Sequence, residues 1–182
     1  MTDLFIRIPE ERLAVLIGVG GVVRKAIEEM SGASLTVDSS ESSVAIHAPP
    51  EADPWGPMKA RDVVAAIGRG FSPERAFRLF KGENYLNVLN LREVTGKRDK
   101  NAVRRIRARL IGEHGKARER LEQLSGCSIS VQGYHVAIIG SAEEIERGTR
   151  ALTMLLRGSE HSTVFGFLAG ERRRLGEPPL ED

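Results

Sequence analysis

Two short glycine-containing segments have the composition of a phosphate-binding loop. They are GEHG (residues 112–115) and GVGG (residues 18–21), and each interrupts a helical pattern. A glycine inside a helix costs about 1 kcal/mol relative to alanine, so paired glycines predict a turn between two helices. Such a turn has no Cβ cover, and the helix that follows it offers unpaired N–H groups and the positive end of its dipole. This arrangement predicts an anion site that suits a phosphate group.

The segment occurs twice because the chain contains an internal duplication. Residues 17–37 align with residues 111–131, and nine of the 21 aligned positions are identical. In both copies an isoleucine precedes the loop, and a helical pattern that ends in Ser-Gly follows it. The similarity continues in VAIHA (residues 44–48) and VAIIG (residues 136–140). Two copies of a unit of this size predict two domains rather than a solenoid.

Each copy has the same predicted order of elements. Alternating apolar residues predict strands over residues 4–9, 34–37, 43–48, 85–91, 127–131 and 134–139. Helical spacing predicts helices over residues 11–17, 22–30, 55–70, 101–111, 116–124, 142–158 and 159–176, with a short additional helix within 71–84. The order strand, helix, helix, strand, strand, helix predicts an α+β fold with one layer of helices on a small antiparallel sheet.

This element order with a Gly-x-x-Gly loop between two helices is typical of the KH module. In that module the loop clamps four backbone nucleotides of a single strand. One Gly-x-x-Gly is weak evidence, whereas two copies in the same context make it strong. We therefore predict two tandem type I KH domains, each β-α-α-β-β-α with a three-stranded antiparallel sheet. The first covers residues 1–81 with a linker helix, and the second covers residues 82–182 with a C-terminal helix.

Two other phosphate-binding motifs do not fit. Residues 18–23 lack the third glycine of the dinucleotide fingerprint, and a predicted helix rather than a strand precedes them. Neither loop continues into the Gly-Lys-Ser/Thr ending of a P-loop. The sequence therefore does not predict nucleotide hydrolysis.

Charge distinguishes the two copies. Residues 97–120 contain ten lysines and arginines against three acidic residues, a net charge of +7. The matching residues 3–26 contain four basic and three acidic residues, a net charge of +1. Since the whole chain carries only +2, the positive charge is concentrated around the second loop. This is the electrostatic pattern expected of a phosphate-binding surface.

The candidate RNA contacts are the two loops and the basic residues beside them. In the second copy they are Gly112, Glu113, His114, Gly115, Lys116, Arg118, Arg104, Arg105, Arg107, Arg109 and Ile111. In the first copy they are Gly18, Val19, Gly20, Gly21, Arg24 and Lys25. We expect lysine and arginine to hold phosphates, His114 to stack on a base, touch phosphate or remain a solvent-exposed loop residue, and an apolar groove to take the bases. Ile111 and Leu121 are predicted to form its floor, and Ile129 and Val131 one wall.

Other classes of site find little support. The single cysteine, Cys127, excludes an internal disulfide and a cysteine-based zinc cluster, and we predict it to be a small core residue. The histidines have no metal-ligand spacing, and no local motif suggests a catalytic set. We therefore expect a protein without cofactor, metal or enzyme activity. No apolar run approaches the ~18 residues of a membrane span and no signal design begins the chain, so we expect a cytoplasmic protein without a membrane partner.

The second copy closely resembles one family, the archaeal two-KH proteins related to the eukaryotic partner-of-Nob-one and KRR-type small-subunit assembly factors. The resemblance rests on LREVTGKRDKNAVRRIRARLIGEHGKARERLEQLSG (residues 91–126) and VAIIGSAEEIERGTRALTMLLRGSEHSTVFGFL (residues 136–168). The segment GFSPERAFRLF (residues 70–80) also resembles the family pattern. The similarity extends over nearly the whole chain.

The resemblance implies a non-catalytic RNA-binding factor of small-subunit maturation. Its expected partners are small-subunit rRNA near the 3′ end and the endonuclease that trims it. In eukaryotic relatives the first loop is often degenerate, whereas here both glycines are present, so RNA binding by the first copy stays open. The alternative is a scaffold that docks a nuclease or an initiation factor, with RNA contact secondary. Trp55 is expected to lie exposed at the start of a helix or to pack on its own domain, with a partner contact as the alternative.

Overall fold

The computed structural model describes residues 2–181, which fall into two compact units. The first unit comprises residues 1–86 and the second residues 87–182. The boundary predicted from the sequence, between residues 81 and 82, lies five residues earlier. The observed division falls inside a strand, Tyr85–Asn90.

The first unit is a three-stranded sheet with helices packed on one of its faces. Its elements are β1 (Thr2–Arg7), α1 (Glu10–Ile17), α2 (Val22–Ser31), β2 (Ser34–Asp38), β3 (Ser43–Ala48), α3 (Trp55–Gly68) and α4 (Pro73–Ala76). The central strand β3 pairs antiparallel with both β1 and β2. Val44 and Ile46 of β3 are buried beneath the helices, whereas Phe5, on the other face, is exposed.

The second unit repeats this plan. Its elements are β4 (Tyr85–Asn90), α5 (Leu91–Thr95), α6 (Lys100–Ile111), α7 (Lys116–Ser125), β5 (Ser128–Gln132), β6 (His135–Gly140), α8 (Ala142–Leu156) and α9 (His161–Arg174). The sheet order is β4-β6-β5, the equivalent of β1-β3-β2. Its core includes Leu110 of α6, Leu121 of α7 and Ile138 of β6. The order of elements predicted for each copy is confirmed.

Side chains fix the starts of two helices in the second unit. Asp99 accepts a hydrogen bond from the backbone N–H of Ala102 at 3.0 Å, which begins α6. Ser141 and Glu144 form a reciprocal capping box at the start of α8. A cap of this kind contributes about 1 kcal/mol and satisfies N–H groups that the helix itself leaves unpaired. Both helices are therefore anchored independently of the loop between α6 and α7.

The structure differs from the predicted elements at two strand ends. The predicted strand 85–91 ends at Asn90, because the side chain of Asn90 caps an unpredicted helix, α5, by accepting from the backbone N–H of Arg92 at 3.0 Å. The predicted strand 4–9 ends at Arg7, because Pro9 occupies the position that begins α1. The start of a helix thus ends the alternating strand pattern at both places.

Candidate nucleic-acid interface

The two glycine loops have the same backbone conformation. The first glycine of each, Gly18 and Gly112, has φ of 74° and 73°. The last glycine of each, Gly21 and Gly115, has φ of 78° and 76°. The residues between them form a single helical turn in which the third position also has positive φ. That position is a glycine in the first loop and His114, with φ of 52°, in the second. The duplication therefore preserves the shape of the loop as well as its glycines.

The first and last glycines of the second loop are required for different reasons. A Cβ on Gly112 would lie 2.6 Å from the Cβ of Ala117 and 2.9 Å from its backbone nitrogen. A Cβ on Gly115 would meet no atom within 4 Å. Gly112 therefore lets the turn pack closely against α7, whereas Gly115 leaves open space in front of the helix. The open side is the one available to a ligand.

The N-terminus of α7 faces this open space without a capping side chain. Gly115 occupies the capping position and supplies no side-chain acceptor, in contrast to Asp99 of α6 and Ser141 of α8. The same is true of Gly21 at the start of α2. The backbone N–H groups of Lys116 and Val22 donate to the carbonyls of Glu113 and Val19, and the positive end of the helix dipole at each start favours an anion. Both loops therefore have the geometry of a phosphate site.

Exposed side chains give the two loops opposite surface character. In the second loop Glu113 and His114 are more than 80% exposed, and Lys116 is also exposed. In the first loop the corresponding exposed side chains are apolar, with Val19 95% and Val22 65% exposed. The second loop can therefore offer a cation to a phosphate at its rim, and the first offers aliphatic surface.

A glutamate and an arginine on α7 connect the loop helix to the sheet. Glu122 accepts from the backbone N–H of Ile129 at 2.7 Å and pairs with Arg118 at 3.2 Å. The first unit repeats this arrangement, since Glu28 accepts from the N–H of Leu35 at 2.7 Å and lies 3.9 Å from Arg24. The two arginines are thus partly engaged within the protein, and the glutamates hold the starts of the edge strands β2 and β5.

The four arginines of α6 are not equivalent. Arg104 and Arg105 are exposed, while Arg107 is half-buried. Arg109 is directed into the protein, where its guanidinium donates to the carbonyl of Leu155 at 2.8 Å and to that of Ser159. Arg109 therefore joins α6 to the C-terminal end of α8 and is less available to phosphate than the sequence suggested.

The predicted groove-lining residues are only partly at the surface. Leu121 and Ile129 are 1% and 2% exposed and belong to the hydrophobic core, so they cannot line a groove. Ile111 and Val131 are partly exposed and remain candidates. The apolar spacing of Leu121 and Leu124 along α7 was the sequence signal for a core-facing side.

The remaining expectations concern single residues. Cys127 is buried, as predicted, and its thiol contacts the carbonyl of Glu144 at 3.0 Å. Trp55 is 66% exposed at the first position of α3, as expected. His161 contacts the carbonyl of Arg109 at 2.8 Å, a structural role.

Within residues 2–181 no group of three or more histidine, cysteine or acidic side chains could hold a metal, and no helix is long and apolar enough to cross a membrane.

Comparisons with known proteins identify the family. The family model for the second KH domain of Pno1, a eukaryotic type KH-domain (KH-domain type I), matches residues 85–173. The KH domain-containing protein MJ0443 of Methanocaldococcus jannaschii is 39% identical over 176 residues, which cover 97% of this chain and 77% of that protein. The chain belongs to the Pno1/Dim2 family of KH-domain proteins. The resemblance stated from the sequence is therefore confirmed.

Eukaryotic members of the Pno1/Dim2 family match over a shorter region. The pre-rRNA-processing protein pno1 of Aspergillus fumigatus is 27% identical over 121 residues, and the RNA-binding protein pno1 of Drosophila pseudoobscura pseudoobscura is 29% identical over 121 residues. These matches cover 66% of this chain and about half of each relative.

Solved structures of family members have the same fold. Dim2p from Pyrococcus horikoshii OT3 is 44% identical, with a TM-score of 0.87 over 95% of this chain and all of that one. A chain in the a/eIF2alpha–aDim2p–rRNA complex from the same organism is 43% identical, with a TM-score of 0.88 over 96% of this chain and 95% of that one. The described fold of this chain is accordingly a KH fold.

Proposed function

We propose that this protein is a non-catalytic, cytoplasmic factor that binds single-stranded RNA through two tandem KH domains, the second of them dominant. Apart from the additional helix α5, the first unit has the same element order through α3 as the second has through α8, and it has the same sheet order and loop backbone, which supports its assignment as a KH domain. Helix α9 is then a C-terminal addition to the second domain. The two loops therefore form two candidate clamps within one chain.

The observation that carries the proposal is the open N-terminus of α7. Space is free in front of Gly115, no side chain caps the helix, and Lys116 is exposed beside it. A phosphate placed there accepts hydrogen bonds from backbone N–H groups at the start of the helix. Each hydrogen bond to a charged group contributes about 1.5–3 kcal/mol. Arg104, exposed on α6, adds positive potential around the site. Arg118 and Lys25, also candidates, lie on the helices that follow the two loops.

The proposed RNA is small-subunit rRNA near its 3′ end. Two observations support this choice: relatives are pre-rRNA-processing proteins, and a close structural relative occurs in a complex with rRNA. The family resemblance further implies that the endonuclease of 3′-end maturation is a partner. In this view the protein holds the RNA strand while another protein performs the cleavage.

Binding to short single-stranded RNA as a function of salt tests the proposal. A KH loop engages about four nucleotides, and each neutralised phosphate of a single strand contributes about −0.7 to the log–log slope. We expect a slope of about −3, with cross-links in cells concentrated near the 3′ end of small-subunit rRNA. A flat salt response, or cross-links scattered over the rRNA, would contradict the proposal.

A second candidate function is a protein-interaction scaffold centred on the first unit. Its support is the apolar surface of that unit, where Val19, Val22 and Trp55 are all more than 60% exposed. A solved complex that contains a structural relative also contains the initiation factor subunit a/eIF2alpha. Binding of an initiation factor or a nuclease that is lost on changing Val19 and Val22 to serine, with RNA affinity unchanged, would favour this function.

A further inference from the structure

A solvent-open cavity in the second unit is surrounded by basic side chains on the side of α6 away from the loop face. Its volume is about 460 Å³. Four cations line it together with apolar residues: Lys97, Arg105, Arg109 and Arg157. No acidic residue is among the lining residues. These residues come from the segment before α6, from α6 itself and from the end of α8.

The geometry of α6 separates this cavity from the glycine loop. Arg105 and Arg109 are four residues apart and lie on one face of the helix, which faces the cavity. Arg104 and Arg107 are three residues apart, and Ile111 lies four residues after Arg107, directly before the loop. These three residues therefore share a different face of α6. From the sequence we expect all four arginines of α6 to add positive charge around the loop. The helix instead divides them between two surfaces.

Only one of the four cations is engaged within the protein. Arg109 donates to two carbonyls at the end of α8 and so places a positive charge at the negative end of that helix dipole. The side chains of Lys97, Arg105 and Arg157 are exposed and have no ion pair or hydrogen bond within the described part of the chain. Three like charges that face one open space repel one another unless an anion joins them.

We propose that this cavity binds backbone phosphate of RNA that extends beyond the four nucleotides held at the glycine loop. This inference rests on the proposed function, because it assigns a second contact to the same RNA. Lysine and arginine side chains around a half-open space suit a phosphodiester, which tracks a positively charged surface without base recognition. Arg109, held by backbone carbonyls, forms a fixed side of the site, and the other three can move to meet the phosphate.

The test compares two RNA lengths with two variants of equal charge. The cavity variant is Lys97→Gln/Arg105→Gln/Arg157→Gln, and the control is Arg98→Gln/Lys100→Gln/Arg173→Gln, whose exposed side chains lie in the same unit but outside the cavity. Each removes three positive charges, so the net charge of the protein changes equally. The probes are a tetranucleotide, the length a KH loop holds, and a single strand of about twelve nucleotides. Thermal unfolding of both variants checks that the fold is intact.

We expect the cavity variant to bind the longer RNA about 10-fold more weakly than the control variant does, with a salt slope reduced by about 0.7 for each phosphate lost. We expect the two variants to bind the tetranucleotide equally well. Equal affinities of the two variants for the longer RNA would overturn the inference while leaving the proposed function intact. If the cavity variant binds both RNA lengths more weakly than the control variant does, the cavity is part of the loop clamp itself. That result would also overturn the inference.

Inorganic phosphate separates RNA from a free anion as the ligand. If the cavity variant loses thermal stabilisation by inorganic phosphate but keeps its affinity for the longer RNA, the site serves a free anion and the inference is wrong. If the unmodified protein binds neither RNA length, the proposed function itself fails. The two failures are therefore distinguishable within one set of titrations.

Discussion

The two glycine loops of this chain have the same backbone and different surfaces. Their first glycines differ in φ by one degree and their last glycines by two. Behind each loop a glutamate accepts a hydrogen bond from the start of an edge strand, β2 or β5, at the same distance, 2.7 Å. In front of each loop the side chains diverge, with exposed valines in one copy and charged residues in the other.

The comparison separates the shape of a phosphate site from its charge. Both loops leave a helix N-terminus uncapped and open, which is the geometric condition for holding an anion. Only the second loop lies in a region of strong positive charge, with +7 over residues 97–120 against +1 over residues 3–26. We therefore expect the second loop to dominate RNA binding even though the two backbones are equivalent.

The largest expected effect concerns the shape that the loops share. Gly112→Ala and Gly18→Ala each place a Cβ 2.6 Å from a side chain of the following helix, on a backbone with positive φ. We expect each to lower the free energy of unfolding by about 2–4 kcal/mol, measured by denaturant titration. Gly115→Ala is the control, because its Cβ meets open space and only the backbone strain of about 1 kcal/mol remains. Equal losses at positions 112 and 115 would contradict the close-approach explanation.

The next effect concerns the charge that distinguishes the loops. Lys116→Val gives the second loop the residue that the first has at position 22. We expect RNA affinity to fall about 10-fold and the salt slope to decrease by about 0.7, because one phosphate contact is lost. Isothermal titration at several salt concentrations measures both quantities. An unchanged salt slope would show that Lys116 does not contact phosphate.

Much of this fold could be predicted from the sequence because the chain contains two copies of the same unit. The order of elements, the position of both turns and the burial of Cys127 agree with the sequence analysis. Each prediction drew on an alternating or helical pattern found in two copies, which reduces the ambiguity of either copy alone. Helix α5 was missed because it has no counterpart in the first copy and begins at a capping side chain, Asn90.

Features set by long-range packing could not be predicted. Arg109 donates to carbonyls 46 and 50 residues further along the chain, and no local pattern shows where its guanidinium points. Arg157 reaches the basic cavity because α8 ends next to α6, which charge counting along the sequence does not reveal. Leu121, predicted to form the groove floor, instead lies in the core, where its helical spacing with Leu124 places it.

The reciprocal substitution in the first loop has a smaller expected effect. Val22→Lys adds to α2 the cation that α7 has at Lys116, at a site that is already 65% exposed. We expect RNA affinity to rise only about 3-fold, because a single charge does not supply the surrounding field of the second copy. The measurement is the same titration, with Val22→Gln as a neutral control. A gain of 10-fold or more would show that one lysine suffices.

The smallest expected effect concerns the one non-glycine residue with positive φ in either loop. His114→Gly relieves a left-handed backbone at the position where the first loop has Gly20. Relief of about 1–2 kcal/mol is partly offset by the greater flexibility of glycine in the unfolded chain, so we expect a net stabilisation of about 0.5 kcal/mol. Thermal unfolding measures it, and a destabilised variant would mean that the imidazole contributes to the loop.

The most direct test of the central claim changes the last glycine of each loop to the same acid. Gly115→Asp and Gly21→Asp place a carboxylate at the start of α7 and of α2, where an added Cβ would meet no atom within 4 Å. Both positions have a left-handed backbone, which aspartate tolerates better than most non-glycine residues, so both variants should fold. Titration with short single-stranded RNA should show binding abolished by Gly115→Asp and reduced at most a few-fold by Gly21→Asp. Undiminished binding by Gly115→Asp, or equal losses in the two variants, would contradict a dominant second loop.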